Sequence, residues 1–347
     1  MTDFANRSIE QQRQLWLEIA HGAVQRWALR PQKIRWLGRG SNAVFRVTAA
    51  NDDLVLRLHP PGSSNAARLR SELGWLTSIR RDTNLLAPCP IAASVDGREQ
   101  LSLELRHDWL PQLAIVHAAL FEYIEGDSKK ARDLSADDIS RVGEYLGVLH
   151  REAQLKAAGD VEGPRLDWDG LFGEDSPYAT PYETGFELAE QGDLIDRVAQ
   201  QLRPPMSMLA TKPDAMGLIH ADLLAKNILF RADSIAALDF EYCGWGFYLY
   251  DLAPLLWQLK GERASDYIAL EEAIWRGYTS VRPLDEDDRS LLETFIAARQ
   301  IASIRWLRSN IQNPELRSFA PALIAERCEE LKVFLETGIL RRSTPTL

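Results

Sequence analysis

Ile219-His220-Ala221-Asp222-Leu223-Leu224-Ala225-Lys226-Asn227-Ile228-Leu229-Phe230, followed by Ala237-Leu238-Asp239-Phe240-Glu241, is the stretch on which the reading of this chain turns. An Asp with an Asn five residues later, just ahead of a short strand-like piece, can place both side chains in one cleft. Attack of a hydroxyl on a phosphate needs a carboxylate to orient the hydroxyl and accept its proton. It also needs an amide oxygen on a metal ion that neutralises the phosphates. Asp222 suits the first role, Asn227 the second, and His220 braces the loop between strands. Asp239 follows Asn227 by twelve residues, at the end of the next strand-like piece, Ile235 to Asp239. A hard Mg²⁺ takes carboxylate oxygen together with phosphate and water, so Asp239 is the expected main metal ligand. Each motif alone is weak, but the two in order across one β-hairpin are specific. Asp251 is a third element. It can cap a helix N-terminus, accept backbone N–H groups of the catalytic loop, or do both.

Upstream of this stretch the hydrophobic period changes twice. Ser8 to Trp27 has helical spacing, and Ile34–Leu37, Ala43–Val47 and Leu54–Leu58 read as three short strands. A helix over Asn65 to Arg80 follows, ended by Pro88 and Pro90, then β stretches at Leu101–Leu105 and His117–Tyr123. Ile124-Glu125-Gly126-Asp127 reads as a short linker. Beyond it the chain is mostly helical, with an amphipathic helix over Ala136–Leu155 and an irregular insertion over Gly163–Thr184. In the first strand link, Gly38 to Asn42, the small residues Gly40, Ser41 and Asn42 would let backbone N–H groups approach phosphates. The same link also reads as an ordinary hairpin turn. Arg57 stands between Leu56 and Leu58, and a lone cation in an apolar strand needs a partner. Glu72 on the next helix is the natural one, the competing reading being a solvated face for both.

The chain has 347 residues, enough for two lobes, with 46% hydrophobic and 26% charged residues. A net charge of −10 argues against an autonomous nucleic-acid binder. Cys89, Cys243 and Cys328 are too scattered for a disulfide framework or a CxxC metal site. No apolar run approaches the length that spans a bilayer, and the first residues lack a signal-peptide pattern. A cytoplasmic protein with no membrane or nucleic-acid partner is expected.

These motifs resemble those of the aminoglycoside phosphotransferase/choline kinase superfamily, in the branch near bacterial homoserine kinases and a stress-response Ser/Thr kinase. The resemblance is carried by VLRLHPPG, RSELGWL, FEYIEGD, GEYLGVLH, GLIHADLLAKNILF and LDFEYCGWGFYLYDLA, and covers nearly all the chain. It implies an α+β, bilobal, protein-kinase-like fold with ATP and Mg²⁺ between the lobes. The N-terminal lobe would be residues 1–122, the hinge 123–127, the helical lobe 128–340 and a frayed tail 341–347. Adenine would bond the backbone at Glu122 and Ile124. The phosphates would meet Arg57, paired with Glu72, and the Gly40–Asn42 link. Metal would sit on Asn227 and Asp239. Three departures stand out: Arg57 where most kinases carry Lys, Leu224 where relatives often place His or Lys, and Glu241 in place of a common Gly. Glu241 either adds a metal ligand or points to solvent, and Lys226 either touches phosphate or is a solvated loop residue.

Three functions compete. The first is transfer of the γ-phosphate of ATP to a hydroxyl of a small molecule. The second is a Ser/Thr protein kinase of the same fold, and the third a nucleotide-binding pseudoenzyme. Intact Asp222, Asn227 and Asp239 argue against the third. Only eleven residues separate Asp239 from Asp251, too few for the segment with which protein kinases hold a peptide. The first reading is therefore favoured, with Asp167-Trp168-Asp169-Gly170-Leu171-Phe172 and the C-terminal helices as acceptor pocket.

Overall fold

The computed structural model describes residues 9–39, 42–50, 52–61, 66–106, 115–156, 162–174, 176–178, 189–311 and 316–343. Two compact units, Met1–Glu125 and Gly126–Leu347, divide the chain. The first runs α1 (Ile9–Gln25), β1 (Lys33–Arg39), β2 (Ala43–Thr48), β3 (Asp53–His59), α2 (Ala66–Asp82), β4 (Ala93–Val95), β5 (Arg98–Gln100), β6 (Ser102–Leu105) and β7 (Val116–Glu122). Five strands form an antiparallel sheet in the order β1-β2-β3-β7-β6. Alternation sets its faces: along β2, Ala43, Phe45 and Val47 are buried while Val44, Arg46 and Thr48 are half-buried. Trp16, Ile19, Ala23 and Val24 of α1 join Phe45, Leu56, Leu58 and Leu120 in one apolar core.

Two expectations are corrected in this unit. Helix α2 stops at Asp82, well before Pro88 and Pro90, where the Thr83 hydroxyl bonds the Ile79 carbonyl at 2.6 Å. Pro90 instead bridges to Phe121 at the sheet edge. A hairpin, β4–β5, also stands where no element was expected. Its turn is Asp96-Gly97, both at positive φ (51° and 73°), the pairing a tight hairpin turn demands.

The second unit runs β8 (Asp127–Ser128), α3 (Ala136–Ala153), β9 (Arg165–Leu166), α4 (Trp168–Phe172), α5 (Ala189–Leu209), β10 (Met216–Ile219), β11 (Ile228–Phe230), β12 (Ile235–Ala237) and β13 (Gly244–Phe247). Helices α6 (Tyr248–Glu262), α7 (Tyr267–Val281), α8 (Glu286–Ser290), α9 (Leu292–Ser309) and α10 (Ala320–Thr337) complete it. Two small sheets, β10-β13-β9 and β12-β11-β8, lie among the helices. Asp127, expected in a linker, pairs with Phe230 across β8 and β11. The segment at 163–172, expected to be irregular, holds β9 and α4.

Helix α3 starts with a capping box, Ser135 and Asp138 satisfying each other's backbone N–H. It buries Ile139, Val142, Leu146 and Leu149 and crosses α7 at very short range. A Cβ on Gly143 would stand 2.2 Å from the Ile274 carbonyl oxygen, and one on Gly277 2.0 Å from that of Ser140. The two backbones touch, which fixes where the last turn of α3 presents His150.

Gly143→Ala should therefore lower stability by about 1–3 kcal/mol, as overpacking does, although Ala gains about 1 kcal/mol of helix propensity over Gly in open surroundings. Gly22→Ala in α1, where nothing lies within 4 Å of the added carbon, is the control and should be neutral or stabilising. Thermal melts of the two variants make the comparison; equal melting temperatures would show that the helices separate at no cost.

Candidate active site

Asp251 lies inside the first turn of α6, whose N-cap is Phe247, so its carboxylate is not spent on capping. It is fully buried and accepts three bonds: the His220 N–H at 2.7 Å, the Ala221 N–H at 2.5 Å and His150 Nε2 at 3.0 Å. Ala221 sits at φ +68°, a left-handed conformation that costs a non-glycine residue roughly 1–2 kcal/mol. The bond from Asp251 holds it there. His150 Nδ1 meets the Tyr278 hydroxyl at 2.8 Å. Burial lowers the pKa of His150 despite the opposing pull of Asp251. The imidazole is therefore neutral, donating from Nε2 to Asp251 and accepting at Nδ1 from Tyr278.

The loop from Ile219 to Asn227 is held at further points. His220 Nε2 bonds the Leu238 carbonyl at 2.9 Å, and the Asp222 N–H donates to His220 Nδ1 at 3.2 Å. Both bonds require the Nε2–H tautomer. The Ala225 N–H donates to Gln258 Oε1 at 3.0 Å, and the Tyr178 hydroxyl to the Ala221 carbonyl at 3.3 Å. The Leu238 N–H reaches the Asn227 carbonyl at 2.8 Å, so Asp239 follows directly after a residue bonded to both ends of the loop. Leu224 is buried, which accounts for an apolar residue at that position.

Asp222 and Asn227 are brought together. Asn227 Nδ2 donates to the Asp222 carbonyl at 2.9 Å and stands 3.4 Å from Asp222 Oδ2. With its nitrogen so used, the amide has Oδ1 to offer a cation, and oxygen is the donor a hard divalent ion takes. Asp239 is exposed and adopts φ +63°, at the start of the turn Phe240–Tyr242. Glu241 is half-buried and Lys226 is exposed. Among the described residues no group of three His, Cys, Asp or Glu side chains could by itself hold a metal ion. An amide and a carboxylate fit an ion that arrives with phosphate oxygens and keeps its waters.

One partner of Asp222 was not foreseen. The Arg299 Nη2 of α9 forms an ion pair with Asp222 Oδ1, with side chains 8% and 13% exposed. Burial alone would lower the pKa of Arg299; Asp222, with the phenols of Tyr250 and Tyr178, holds it raised instead. Tyr178 is itself pushed well up by burial and stacks on Tyr242, ring centroids 5.1 Å apart. A signal for Arg299 exists in the sequence: it stands among Ala297, Ala298 and Ile301, where a cation needs a partner as Arg57 does.

The Asp167–Phe172 segment forms a helix capped at both ends. Asp167 caps α4 through the Gly170 N–H at 3.0 Å, and Arg305 caps its far end through the Leu171, Phe172 and Gly173 carbonyls. Nor is the tail frayed up to Ser343. Arg342 Nη1 donates to the Trp257 carbonyl at 2.5 Å with its guanidinium 3.6 Å from that ring, and the Ser343 N–H reaches Glu330 Oε1 at 2.7 Å. Trp257 Nε1 continues to Gln300 Oε1 at 2.6 Å, and Gln300 Nε2 to Glu330 Oε2 at 2.6 Å. Burial pulls the pKa of Arg342 down to about 9 against the attraction of Glu330.

In the first unit Arg57 and Glu72 are both buried, and the solvated-face reading is excluded. Arg57 Nη2 stands 2.7 Å from both Glu72 oxygens. Glu122 pairs with Leu54 at the end of β7, and its carboxylate lies 3.7 Å from Arg80. Asn42 is buried, while Gly40 and Ser41 lie outside the described residues. No helix among the described residues is long and apolar enough to cross a membrane.

The chain is similar to several known kinases. The homoserine kinase of Gluconobacter oxydans is 31% identical over 58% of this chain and 61% of its own length. The structure of a microcompartment-associated aminopropanol kinase matches at a TM-score of 0.78 with 24% identity, over 94% of this chain and 99% of that one. Amicoumacin kinase hAmiN, in complex with AMP-PNP, Ca²⁺ and Ami, matches at a TM-score of 0.75 with 16% identity, over 94% of each chain. Both likenesses show the α+β kinase-like fold. The family model of the phosphotransferase enzyme family matches residues 34–284, and the chain belongs to that family.

Proposed function

We propose that this protein transfers the γ-phosphate of ATP, with Mg²⁺, to a hydroxyl group of a small-molecule acceptor. The observation that carries the reading is Asp222 held between Arg299 and Asn227 on a loop anchored by Asp251. A carboxylate fixed on two sides is oriented before an acceptor arrives, which is where much of the rate of phosphoryl transfer originates. Asp222 takes the proton of the acceptor hydroxyl as the new O–P bond forms and the bond from phosphorus to the leaving ADP oxygen breaks. Asn227 and Asp239 would hold Mg²⁺ together with the nucleotide phosphates, where the ion supplies neutralising charge. Arg57, with Glu72 behind it, supplies a cation for the phosphates.

Two observations support a small acceptor. Residues between Asp239 and Asp251 are used up by the turn 240–242, β13 and the start of α6, so no extended segment is left to hold a peptide. Relatives of this chain are named for homoserine, aminopropanol and amicoumacin. The AMP-PNP and Ca²⁺ bound in one of them support a nucleotide and a divalent ion here.

Replacing Asp222 by Asn should lower kcat with a good acceptor by about 10²–10⁴-fold while ATP affinity changes little; turnover within threefold of wild type refutes its role. Calorimetry should show ATP binding that depends strongly on Mg²⁺, the dependence vanishing in Asp239→Ala. Identical ATP affinity with and without Mg²⁺ in the wild type counts against the metal assignment. Arg299→Met leaves Asp222 half-buried without its partner, a loss worth up to about 3–5 kcal/mol in a fully buried pair and less here, where water reaches the site. It should cut kcat at unchanged KM for ATP, with Arg299→Lys recovering part; an unaltered kcat in Arg299→Met shows the pair to be structural only.

A further inference from the structure

Arg57 and His59 stand two apart on β3, so their side chains leave the same face of the strand. Both are buried. The guanidinium is held on several sides at once. Its Nη2 meets both oxygens of Glu72 at 2.7 Å, its carbon lies 5.1 Å from the centre of the Phe121 ring, and its Nε donates to His59 Nε2 at 3.0 Å.

We propose that His59 is a positioning residue for Arg57, and that the pair explains why a guanidinium rather than an ammonium stands at this place. The inference rests on Arg57 serving the nucleotide phosphates. A guanidinium bonded to Glu72 alone can still rotate about that contact. A second bond at Nε, on another edge of the same plane, stops the rotation and fixes which way the remaining N–H groups point. Lysine has no atom that corresponds to Nε, so it would satisfy Glu72 and leave the His59 acceptor unused.

The imidazole is suited to this. To accept from Arg57 it must keep the lone pair on Nε2 and carry its proton on Nδ1. Burial, with help from Arg57, His117 and Arg68, holds the pKa of His59 down at about 2, so the acceptor persists at any working pH. His117 is the residue directly opposite on β7.

The test is steady-state kinetics with ATP varied, and separately with the acceptor varied, on purified full-length variants whose folding is checked by thermal melting. His59→Leu should lower kcat/KM for ATP by about tenfold or more, the scale of one hydrogen bond to a charged group, with the acceptor KM unchanged. His59→Gln, whose Oε1 reaches the position of Nε2, should stay within about threefold of wild type, and His59→Asn, too short to reach, should behave as Leu. If the Leu variant does not fold, the Gln and Asn pair carries the same comparison. In an Arg57→Lys background, His59→Leu should cost nothing further, because the bond it removes is already gone. Wild-type kinetics in both His59→Leu and His59→Asn, or equal losses in His59→Gln and His59→Asn, overturn the proposal, as does an additive double variant. Arg57→Ala separates the two levels. If it impairs ATP use while His59→Leu and His59→Asn do not, the positioning role falls and the phosphate role stands; if Arg57→Ala leaves ATP use unchanged, both fall.

Discussion

A buried carboxylate with three donors is the interaction on which the loop from Ile219 to Asn227 depends. Asp251 is covalently part of α6, yet its oxygens are bonded to the loop and to α3. Placing a carboxylate out of water is expensive unless hydrogen bonds take up its lone pairs, and here the backbone N–H groups of His220 and Ala221 and the His150 ring do so. The same bonds maintain Ala221 in a conformation it would otherwise leave. Loop geometry, helix position and the neutral state of His150 are thus one arrangement. The close crossing of α3 and α7 belongs to it as well, since His150 and Tyr278 come from those helices.

Two buried pairs follow one rule: a cation taken out of water faces a carboxylate. Arg57 has Glu72, and Arg299 has Asp222. Under the proposed function the difference lies in which partner works. In the first pair the cation would meet the phosphates with the carboxylate behind it. In the second the carboxylate would meet the acceptor, with the cation behind. Buried pairs contribute little net stability against well-packed apolar residues, so their value here is the direction in which the working member points.

Much of this was legible in the sequence because it is local. Asp222, Asn227 and Asp239 lie within one short interval, and the spacing of strands and turn places them without knowledge of the rest of the chain. The five strands of the large sheet and the helix over residues 136–153 follow from period alone. What was missed is of two kinds. Some signals were present and unread: Asp96-Gly97 is a hairpin turn, and Arg299 in an apolar helix is as unusual as Arg57 in an apolar strand. Other features depend on contacts between distant segments. For Asp251 the sequence left a helix cap and a bond to the loop both open, because the distance from α6 to the loop is not visible in it; the structure shows the bond. Asp167–Phe172 was read as irregular from its Gly and Asp content, but Arg305, far along the chain, satisfies the carbonyls that let it form a helix.

Trp257 and Arg342 carry a consequence for how the second unit is made. Arg342 lies on the Trp257 ring and bonds its carbonyl, in the middle of α6, the helix that also supplies Asp251 and Gln258 to the loop. Chains emerge from the ribosome from their first residue onward, and domains fold as units during synthesis. In this unit the partners of α6 are not all present until Arg342 has left the exit tunnel. Asp251 and Gln258 can meet the loop before that point, whereas the contacts of Arg342 with Trp257 cannot yet form. Chains stopped short of Arg342 would thus carry Asp222, Asn227, Asp239 and Asp251 while leaving the Trp257 ring and carbonyl without the guanidinium that packs on them.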